Sequence, residues 1–312
     1  MYLYLLPYAD YSTMPLMQKV IVIVGPTAVG KTSRGIATAK AVEGEVISAD
    51  SRQVYRGLDL GTGKISEYEA KGVPHHLIDV ADPRETFSAS DFVRLGRAAI
   101  EQISTRDHIP IIVGGTGFYI DTLVGRMTPA EVPPDPALRD SISRLNLAEL
   151  QSRLKNLDPV RYAEIDIKNR RRLERAIEIA RSPKRTDTKD RPLYEVLWVG
   201  LALPMPELRE KIRNRLSARL ANGMLDEARR LNSAGLTWER MEELGLEYRY
   251  MSRHLTGAIS YDEMLSELEK EIVAYTKRQI TWFKKNKNII WFRPEEKEKI
   301  MEFVLHSLRT GL

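Results

Sequence analysis

Short apolar runs alternate with longer amphipathic segments through the first third of the chain. Lys19–Val24 is rich in β-branched residues and stops at Gly25, which predicts a buried central strand. The same reasoning predicts strands at Val46–Ser48, His76–Val80 and Pro110–Val113, with helices at Lys31–Glu43 and Ser88–Ser104. Because strands that alternate with helices form right-handed crossover units, the pattern predicts an α/β fold with a parallel sheet flanked by helices.

The pattern changes at about Thr128. A proline-rich turn at 132–136 leads into charged helical segments that continue to Arg181, and a polar link at 182–192 precedes the next strand-like run, Glu195–Leu203. The later elements are predicted as helices at 206–222, 224–234 and 260–285, a strand at Ile289–Phe292 and a helix from Pro294. We therefore predict a disordered extension at 1–17, a first core part at 18–127, a helical insertion at 128–192, and core completion with C-terminal helices at 193–312.

Basic residues are concentrated in two segments. The net charge of the whole chain is +5, yet residues 139–192 alone hold 15 Lys and Arg against 9 Asp and Glu. Residues 277–287 add five basic side chains and no acidic one. Such clustering is typical of a surface that binds a polyanion, and solvated helix faces are the alternative explanation.

The composition excludes several classes of chemistry. The chain has no cysteine, which rules out disulfides, thiolate metal sites and cysteine nucleophiles. The first seventeen residues lack the basic start of a signal peptide, and no window approaches the roughly 20 apolar residues that cross a bilayer. The sequence thus predicts no membrane association.

A phosphate-binding loop joins the first predicted strand to the first predicted helix. The segment matches G-x-x-x-x-G-K-[ST] and consists of Gly25, Pro26, Thr27, Ala28, Val29, Gly30, Lys31 and Thr32. Backbone N–H groups of such a loop point at a phosphate, the lysine adds a positive charge, and the Thr32 hydroxyl is a ligand for Mg²⁺. The loop predicts a diphosphate ligand but leaves the reaction open, because a diphosphate can be a nucleotide tail, a phosphoryl donor or a leaving group.

Two further segments follow predicted strands. Asp50 comes directly after the second strand, and residues after the carboxyl ends of parallel strands line the ligand crevice. Its carboxylate could accept a proton from a nucleophile or hold Mg²⁺ through water, and a turn or helix-capping aspartate is the alternative. Gly114–Gly117 is read as a tight turn, and the following Phe118–Tyr119 pair as core.

Several stretches together resemble one family, the tRNA dimethylallyltransferases or tRNA isopentenyltransferases. The stretches are GPTAVGKT at 25–32, VISADSRQVYRGLDLGTGK at 46–64, PHHLIDV at 74–80, FSASDF at 87–92, VGGTGFYI at 113–120, NRRRLERAIEI at 169–179, NRL at 214–216 and KRQITWF at 277–283. They extend from the phosphate loop to near the C-terminus. The resemblance implies a phosphate-loop core of the NTPase type with an inserted helical tRNA-binding domain.

The resemblance also implies a reaction. In this family the phosphate loop holds the diphosphate of dimethylallyl diphosphate, whose dimethylallyl group passes to N6 of the adenine 3′-adjacent to the anticodon, in tRNAs reading codons that begin with U. By analogy Asp50 orients or deprotonates the amine, while Lys31, Thr32, Arg215 and Mg²⁺ stabilise the departing diphosphate. The implied protein is a cytoplasmic monomer.

Contacts with the anticodon stem-loop are carried over in the same way. The residues so implied are Asp50, Ser51, Arg52, Gln53, Thr116, Arg139, Arg171, Arg172 and Arg175, and the basic run at 277–287 adds Lys277 and Arg278. Two stretches depart from the family pattern: Gly245–Arg249, where a Gly-Tyr-Arg-Gln-like run is usual, and Ser182–Lys184, where a Gly-Lys-Pro-like turn is usual. Both departures fall on the predicted tRNA side.

Three other functions fit parts of the sequence. An adenylate isopentenyltransferase would use a free nucleotide as acceptor, but a small acceptor needs neither basic segment. A phosphate-loop nucleotide or nucleoside kinase would turn over ATP. A non-enzymatic RNA-binding module would have no use for a complete phosphate loop facing Asp50.

Overall fold

A computed structural model describes residues 17–128, 132, 135–182 and 193–311. The strands are β1 (Lys19–Val24), β2 (Gly44–Ala49), β3 (His75–His76), β4 (Ile109–Gly114), β5 (Glu195–Leu201) and β6 (Ile290–Phe292). The helices are α1 (Lys31–Ala41), α2 (Glu67–Ala70), α3 (Ala89–Ser104), α4 (Gly117–Leu123), α5 (Pro136–Ser143), α6 (Leu147–Leu157), α7 (Pro159–Glu164), α8 (Arg170–Arg181), α9 (Met205–Ala221), α10 (Met224–Ser233), α11 (Trp238–Leu244), α12 (Leu246–Leu255), α13 (Tyr261–Phe283) and α14 (Lys297–Thr310).

The six strands form one parallel sheet in the order β3-β2-β4-β1-β5-β6. Alternate residues of β1 belong to two apolar clusters: Val20 and Val22 pack with α3 and α4, whereas Ile21 and Ile23 pack with α1, α9 and α14. Both faces of the sheet are therefore covered by helices, which explains the uninterrupted apolar sequence of β1. The predicted α/β fold is confirmed.

A third apolar cluster lies among helices α9 to α13. Its fully buried members include Met251, Met264 and Leu268, and Tyr248 is its largest buried side chain. This cluster supports one wall of the cleft described below, because Leu216 of α9 belongs to it.

The predicted strand at His76–Val80 is wrong beyond its first residue. The strand consists of His75–His76 only, and the chain leaves it with positive φ angles at Leu77 (62°) and Asp79 (57°), which no strand accommodates. The N–H of Asp79 instead donates to the carbonyl oxygen of Gln53 at 3.2 Å. The apolar run thus packs against the loop after β2 and does not extend the sheet.

Four helices were not predicted from the sequence, namely the short α2 and the helices α4, α11 and α12. The structure begins α4 at Gly117, inside the segment interpreted as a tight turn, and buries Tyr119 and Ile120 of that helix in the core. Helices α11 and α12 are separated only by Gly245, whose φ of 75° allows the abrupt change of direction. The other predicted strands and helices are confirmed, with ends that differ by a few residues.

The chain divides into two compact units. One unit comprises Met1–Met127 and Arg191–Leu312, and the other comprises Thr128–Asp190. The second unit contains α5 to α8 around a small core that includes Ile142, Leu154 and Leu173. The predicted extension, apart from Met17, and most of the polar link at 182–192 lie outside the described residues.

In the described part of the chain, no helix is long and apolar enough to cross a membrane.

Candidate functional site

The phosphate loop lies between β1 and α1, at the carboxyl edge of the sheet. Gly25 has a φ of 153°, and a Cβ at this position would lie 2.5 Å from the carbonyl oxygen of Leu201 in the neighbouring strand. Gly30 has a φ of 95° and occupies the N-cap of α1 without a side-chain cap. Because glycine has no side chain to cap the helix, the N-terminal N–H groups of α1 suit an anion.

Lys31 is partly buried at the first position of α1. Its Nζ donates a hydrogen bond to the carbonyl oxygen of Pro26 at 2.7 Å, across the loop. Burial lowers the pKa of Lys31 to about 7; the negative charge of Asp50 opposes this shift, and the positive charge of Arg215 adds to it. A bound anion would restore the charged form of this amine.

Two arginines of α9 face the same cleft, one helical turn apart. Arg215 donates from Nη2 to the carbonyl oxygen of Gly63 at 3.2 Å. Burial lowers the pKa of Arg215 to about 10, and repulsion from Arg219 contributes to the shift. Arg219 in turn is ion-paired with Glu247 of α12 at 3.2 Å and donates to the carbonyl oxygen of Gly61 at 3.3 Å. The cleft thus concentrates positive charge, only part of which is balanced by protein carboxylates.

The same cleft has an apolar side. It is lined by Thr27, Ala28, Ile212, Arg215, Leu216, Arg219, Glu247 and Ile272. The aliphatic members come from the phosphate loop, α9 and α13. A ligand with one highly charged end and one small hydrocarbon end matches this division of the lining.

Asp50 follows the last residue of β2. Its Oδ1 accepts hydrogen bonds from the backbone N–H groups of Arg52 (2.8 Å) and Gln53 (3.3 Å), so the turn-forming alternative weighed from the sequence is realised. Its charge also acts on the pKa values of Lys31 and Arg215, which places the carboxylate within electrostatic reach of both cations. A structural role in the turn therefore coexists with a position at the cleft.

The segment after Asp50 is held by Thr116 and by Gln53. The N–H of Ser51 donates to Thr116 Oγ1 at 3.2 Å. The Gln53 side chain uses both ends of its amide, because Oε1 accepts from Ser48 at 3.0 Å and Nε2 donates to the carbonyl oxygen of Gly63 at 3.3 Å. Gln53, predicted to contact tRNA, is thus engaged within the protein.

A buried carboxylate shapes the loop that contacts both arginines. Glu227 of α10 accepts hydrogen bonds from three consecutive N–H groups, those of Asp59, Leu60 and Gly61, and also from the hydroxyl of Tyr248. The loop is thereby fixed on the helical cluster, and it presents the carbonyl oxygens that receive the two arginines of α9.

Two polar residues of helix α13 lie next to the phosphate loop and the turn after β4. Gln279 is 5% exposed and bonds both Thr27 and Gly115, and Tyr275 lies close enough to Thr116 and Gln279 for both to act on its pKa. Burial raises the pKa of Tyr275 to about 12, and the charge of Asp50 adds to the increase. The hydroxyl of Tyr275 therefore remains protonated near neutral pH.

The basic residues of the helical insertion fall into two groups. Arg139 and Arg175 both form ion pairs with Glu178, whose side chain is fully buried, at 2.6 Å and 2.9 Å. Arg171 and Arg172 are exposed, and neither has an ion-pair partner among the described residues. The predicted tRNA contacts thus include two arginines that organise the insertion and two that are available to a ligand.

The basic run at the end of α13 is likewise divided. Lys277 and Arg278 are exposed. Arg278 forms an ion pair with Glu271 at 2.8 Å and lies over the ring of Tyr275. Lys277 has no ion-pair partner in the described ranges.

The sequence interpretation missed four residues of this site: Arg219, Glu247, Tyr275 and Gln279. The signal for Arg219 was its spacing of four from Arg215, which places the two on one helix face. Gln279 is a polar residue on the buried stripe of a helix, and a buried amide needs partners for both of its ends.

The protein oxygens near the phosphate loop fit a magnesium ion that is bound mainly through its substrate. The Thr32 hydroxyl is exposed and has no hydrogen-bond partner among the described residues. No group of three or more His, Asp or Glu side chains suited to a metal occurs in that part of the chain. Mg²⁺ commonly uses one or two protein oxygens together with waters and phosphate oxygens, so this donor set suffices.

A parallel sheet whose central strand leads into a glycine-rich loop, with two arginines lining a half-apolar cleft, is typical of a phosphate-loop protein and suits an anionic ligand. A family model described as IPP transferase matches residues 53–286. The chain belongs to this family of tRNA dimethylallyltransferases.

Similar proteins cover nearly the whole chain. A relative from Citrifermentans bemidjiense, named tRNA dimethylallyltransferase 2, is 43% identical over 276 residues, which are 88% of this chain and 90% of the relative. The tRNA isopentenylpyrophosphate transferase structure from Bacillus halodurans is 34% identical, with a TM-score of 0.72, and the match covers 94% of this chain and 97% of that one. A eukaryotic dimethylallyltransferase described as acting on tRNA is 26% identical, with a TM-score of 0.73, covering 85% and 70%.

Proposed function

We propose that the protein transfers the dimethylallyl group of dimethylallyl diphosphate to N6 of the adenine 3′-adjacent to the anticodon, in tRNAs reading codons that begin with U. The observation that carries the donor assignment is the divided cleft, whose lining combines two arginines, Arg215 and Arg219, with the aliphatic side chains of Ile212, Leu216 and Ile272. Lys31 of the phosphate loop is within electrostatic reach of Arg215. Family membership supports tRNA as the acceptor.

The proposed reaction is a substitution at an allylic carbon. The bond between C1 of the dimethylallyl group and the diphosphate oxygen breaks, and its electron pair leaves with the diphosphate. The N6 lone pair forms the new bond to C1, and Asp50 accepts the proton that N6 loses. Because an exocyclic adenine amine is a weak nucleophile, stabilising the leaving group should lower the barrier more than the base does.

Three side chains are proposed to neutralise the leaving diphosphate. Lys31 and Arg215 are held with lowered pKa values in the cleft, so a diphosphate would relieve their desolvation and mutual repulsion. Thr32 would hold Mg²⁺, with Asp50 nearby, and the ion when bound would supply further positive charge to the diphosphate oxygens. These groups would stabilise the negative charge that develops on the diphosphate as the ester bond breaks.

Access to N6 requires the adenine to leave the stacked anticodon loop. Arg171, Arg172 and Lys277 are proposed to contact the tRNA backbone because they are exposed and unpaired among the described residues. Phosphate contacts of this kind provide affinity and its salt dependence, whereas splayed bases provide specificity.

Transfer to different acceptors tests the proposal. The purified protein is incubated with Mg²⁺ and labelled dimethylallyl diphosphate, with either unmodified tRNA of the U-reading class or AMP as acceptor, and a third reaction measures ATP turnover. The proposal predicts label in tRNA alone. Label only in AMP would assign a free-nucleotide transferase, and ATP turnover without label transfer would assign a kinase.

A further inference from the structure

Gln279 joins two segments of the core that are far apart in sequence. Its Oε1 accepts a hydrogen bond from the N–H of Thr27 in the phosphate loop at 2.8 Å, and its Nε2 donates to the carbonyl oxygen of Gly115 at 3.0 Å. Reversing the amide would bring two donors together on one side and two acceptors together on the other. The side chain therefore has one orientation.

The site around this amide is closely packed. Gln279 is 5% exposed, and a Cβ at Gly115 would lie 2.2 Å from its Nε2. Gly115 is thus restricted to glycine by the approach of the amide and not by its φ angle. The contact leaves no space for a bridging water between Nε2 and the backbone.

The two segments belong to opposite halves of the proposed reaction. Thr27 is part of the loop for the donor diphosphate. Gly115 precedes Thr116, whose Oγ1 accepts from the N–H of Ser51, next to the proposed base Asp50. A single side chain therefore connects the donor loop to the edge that holds the acceptor.

We propose that Gln279 is a positioning residue that sets the separation between the phosphate loop and the Asp50 edge. It would act through these two backbone segments, to which its amide is bonded. Each half of the site can bind its own substrate without the bridge, but the allylic carbon and the amine then lose their alignment, on which the rate of a bimolecular transfer depends steeply. The inference rests on the proposed function, because it assigns the two halves to donor and acceptor.

Gln279→Met tests this role by replacing the amide with a side chain of similar length that forms neither hydrogen bond. The matched control is Thr276→Val, which removes a buried hydroxyl of the same helix whose hydrogen bond runs to the carbonyl oxygen of Ile272 within that helix. We expect Gln279→Met to lower kcat for tRNA prenylation at least tenfold relative to the control, with Kd values for dimethylallyl diphosphate and for tRNA each within threefold. A kcat within twofold of the control, or a loss confined to one Kd, would overturn the proposal.

Gln279→Glu gives a second readout that a purely structural role would not produce. Its carboxylate still accepts from Thr27 but faces the carbonyl oxygen of Gly115, whereas the protonated acid can donate to that oxygen. The ratio of its kcat to that of the wild type should therefore rise as pH falls from 8 to 6. A ratio that stays constant over this range would contradict the proposed bridge.

Hydrogen–deuterium exchange separates failure of this inference from failure of the proposed function, because it needs no activity. Gln279→Met should speed exchange in the peptides that contain Thr27 and Gly115–Thr116, whereas Thr276→Val should not. Unchanged exchange in both peptides overturns the bridge, even in an active enzyme. Faster exchange in Gln279→Met, together with no prenylation of tRNA by the wild-type protein, would support the bridge and contradict the proposed function.

Discussion

The ammonium group of Lys31 donates to the carbonyl oxygen of Pro26 at 2.7 Å, on the opposite side of the phosphate loop. This carbonyl is the partner that the side chain has within its own loop. Burial lowers the pKa of the amine to about 7, so near neutral pH the group is divided between its charged and neutral forms. Donor binding should therefore depend on pH.

The donor's Kd should change with pH because the diphosphate binds one protonation state of Lys31 better than the other. A diphosphate favours the protonated amine, so at pH values above the pKa in the free protein, binding requires proton uptake. We expect the Kd for dimethylallyl diphosphate to rise above pH 7 by up to about tenfold per pH unit. Calorimetry in two buffers of different ionisation enthalpy at pH 8 should detect nearly one proton taken up, and Lys31→Met should remove that uptake. Equal apparent enthalpies in the two buffers for the wild type would refute the assigned shift.

Arg215→Ala should reduce the rate of transfer more than the affinity for tRNA. Removing one preorganised donor from developing charge lowers kcat by about 10²- to 10³-fold in comparable sites. Arg213→Ala is the control, since Arg213 lies on the same helix and pairs with Glu269 at the surface. Single-turnover rates with saturating tRNA separate the two effects. A variant that loses tRNA affinity but keeps its transfer rate would place Arg215 in acceptor binding.

Glu247→Gln should tighten donor binding. The Glu247 carboxylate neutralises Arg219 in the cleft, and burial raises the pKa of this carboxyl group. Removing its charge leaves Arg219 to interact with the diphosphate, and we expect a severalfold lower Kd that weakens with added salt. Glu243→Gln removes an exposed carboxylate nearby in the chain and serves as control. An unchanged Kd would indicate that Arg219 does not reach the donor.

The two groups of arginines in the insertion should behave differently. Alanine at both Arg171 and Arg172 should weaken tRNA binding and reduce the slope of log K against log salt by about 0.7–0.9 per lost phosphate contact, without changing the melting temperature. A fall in melting temperature, or an unchanged salt slope, would contradict their proposed role.

Glu178→Gln should instead destabilise the insertion. The buried carboxylate bonds Arg139, Arg175 and the N–H of Asp135. Losing these charge-assisted bonds should lower the free energy of unfolding by about 1–3 kcal/mol. We expect no larger loss because both arginines are partly exposed to solvent, which weakens their ion pairs. Thermal denaturation of Glu178→Gln, compared with that of the variant with alanine at Arg171 and Arg172, tests whether the two groups of arginines have different roles. Unchanged stability would show that Glu178 does not organise the insertion.

Much of the architecture could be predicted from the sequence because buried parallel strands are short, apolar and β-branched. The failure at His76–Val80 has a physical cause, since the run is apolar but the positive φ angles at Leu77 and Asp79 come from packing against a distant loop. Helix α4 was not predicted because Gly115 and Gly117 are of a residue type that is common in turns. Here these glycines allow the side chains of Gln279 and Trp282 to approach the backbone closely.

The site was predictable where its residues are contiguous, as in the phosphate loop. It was not predictable where tertiary contacts decide the role. The tRNA contacts of Gln53 and Arg139 stay predictions, and the sequence did not indicate that their side chains also bond Gly63 and Glu178 within the protein. Gln279 shows the converse, because its importance appears only when Thr27 and Gly115 are seen on either side of it.

The most direct test of the account compares wild type with Asp50→Ala and Asp140→Ala, an exposed acidic residue of the insertion. Unmodified tRNA is incubated with labelled dimethylallyl diphosphate and Mg²⁺, then digested to nucleosides and to anticodon-loop fragments. The account predicts N6-dimethylallyl-adenosine at the position 3′ of the anticodon with wild type and Asp140→Ala, and almost none with Asp50→Ala. Equal product from Asp50→Ala, or label at any other nucleoside, would contradict it.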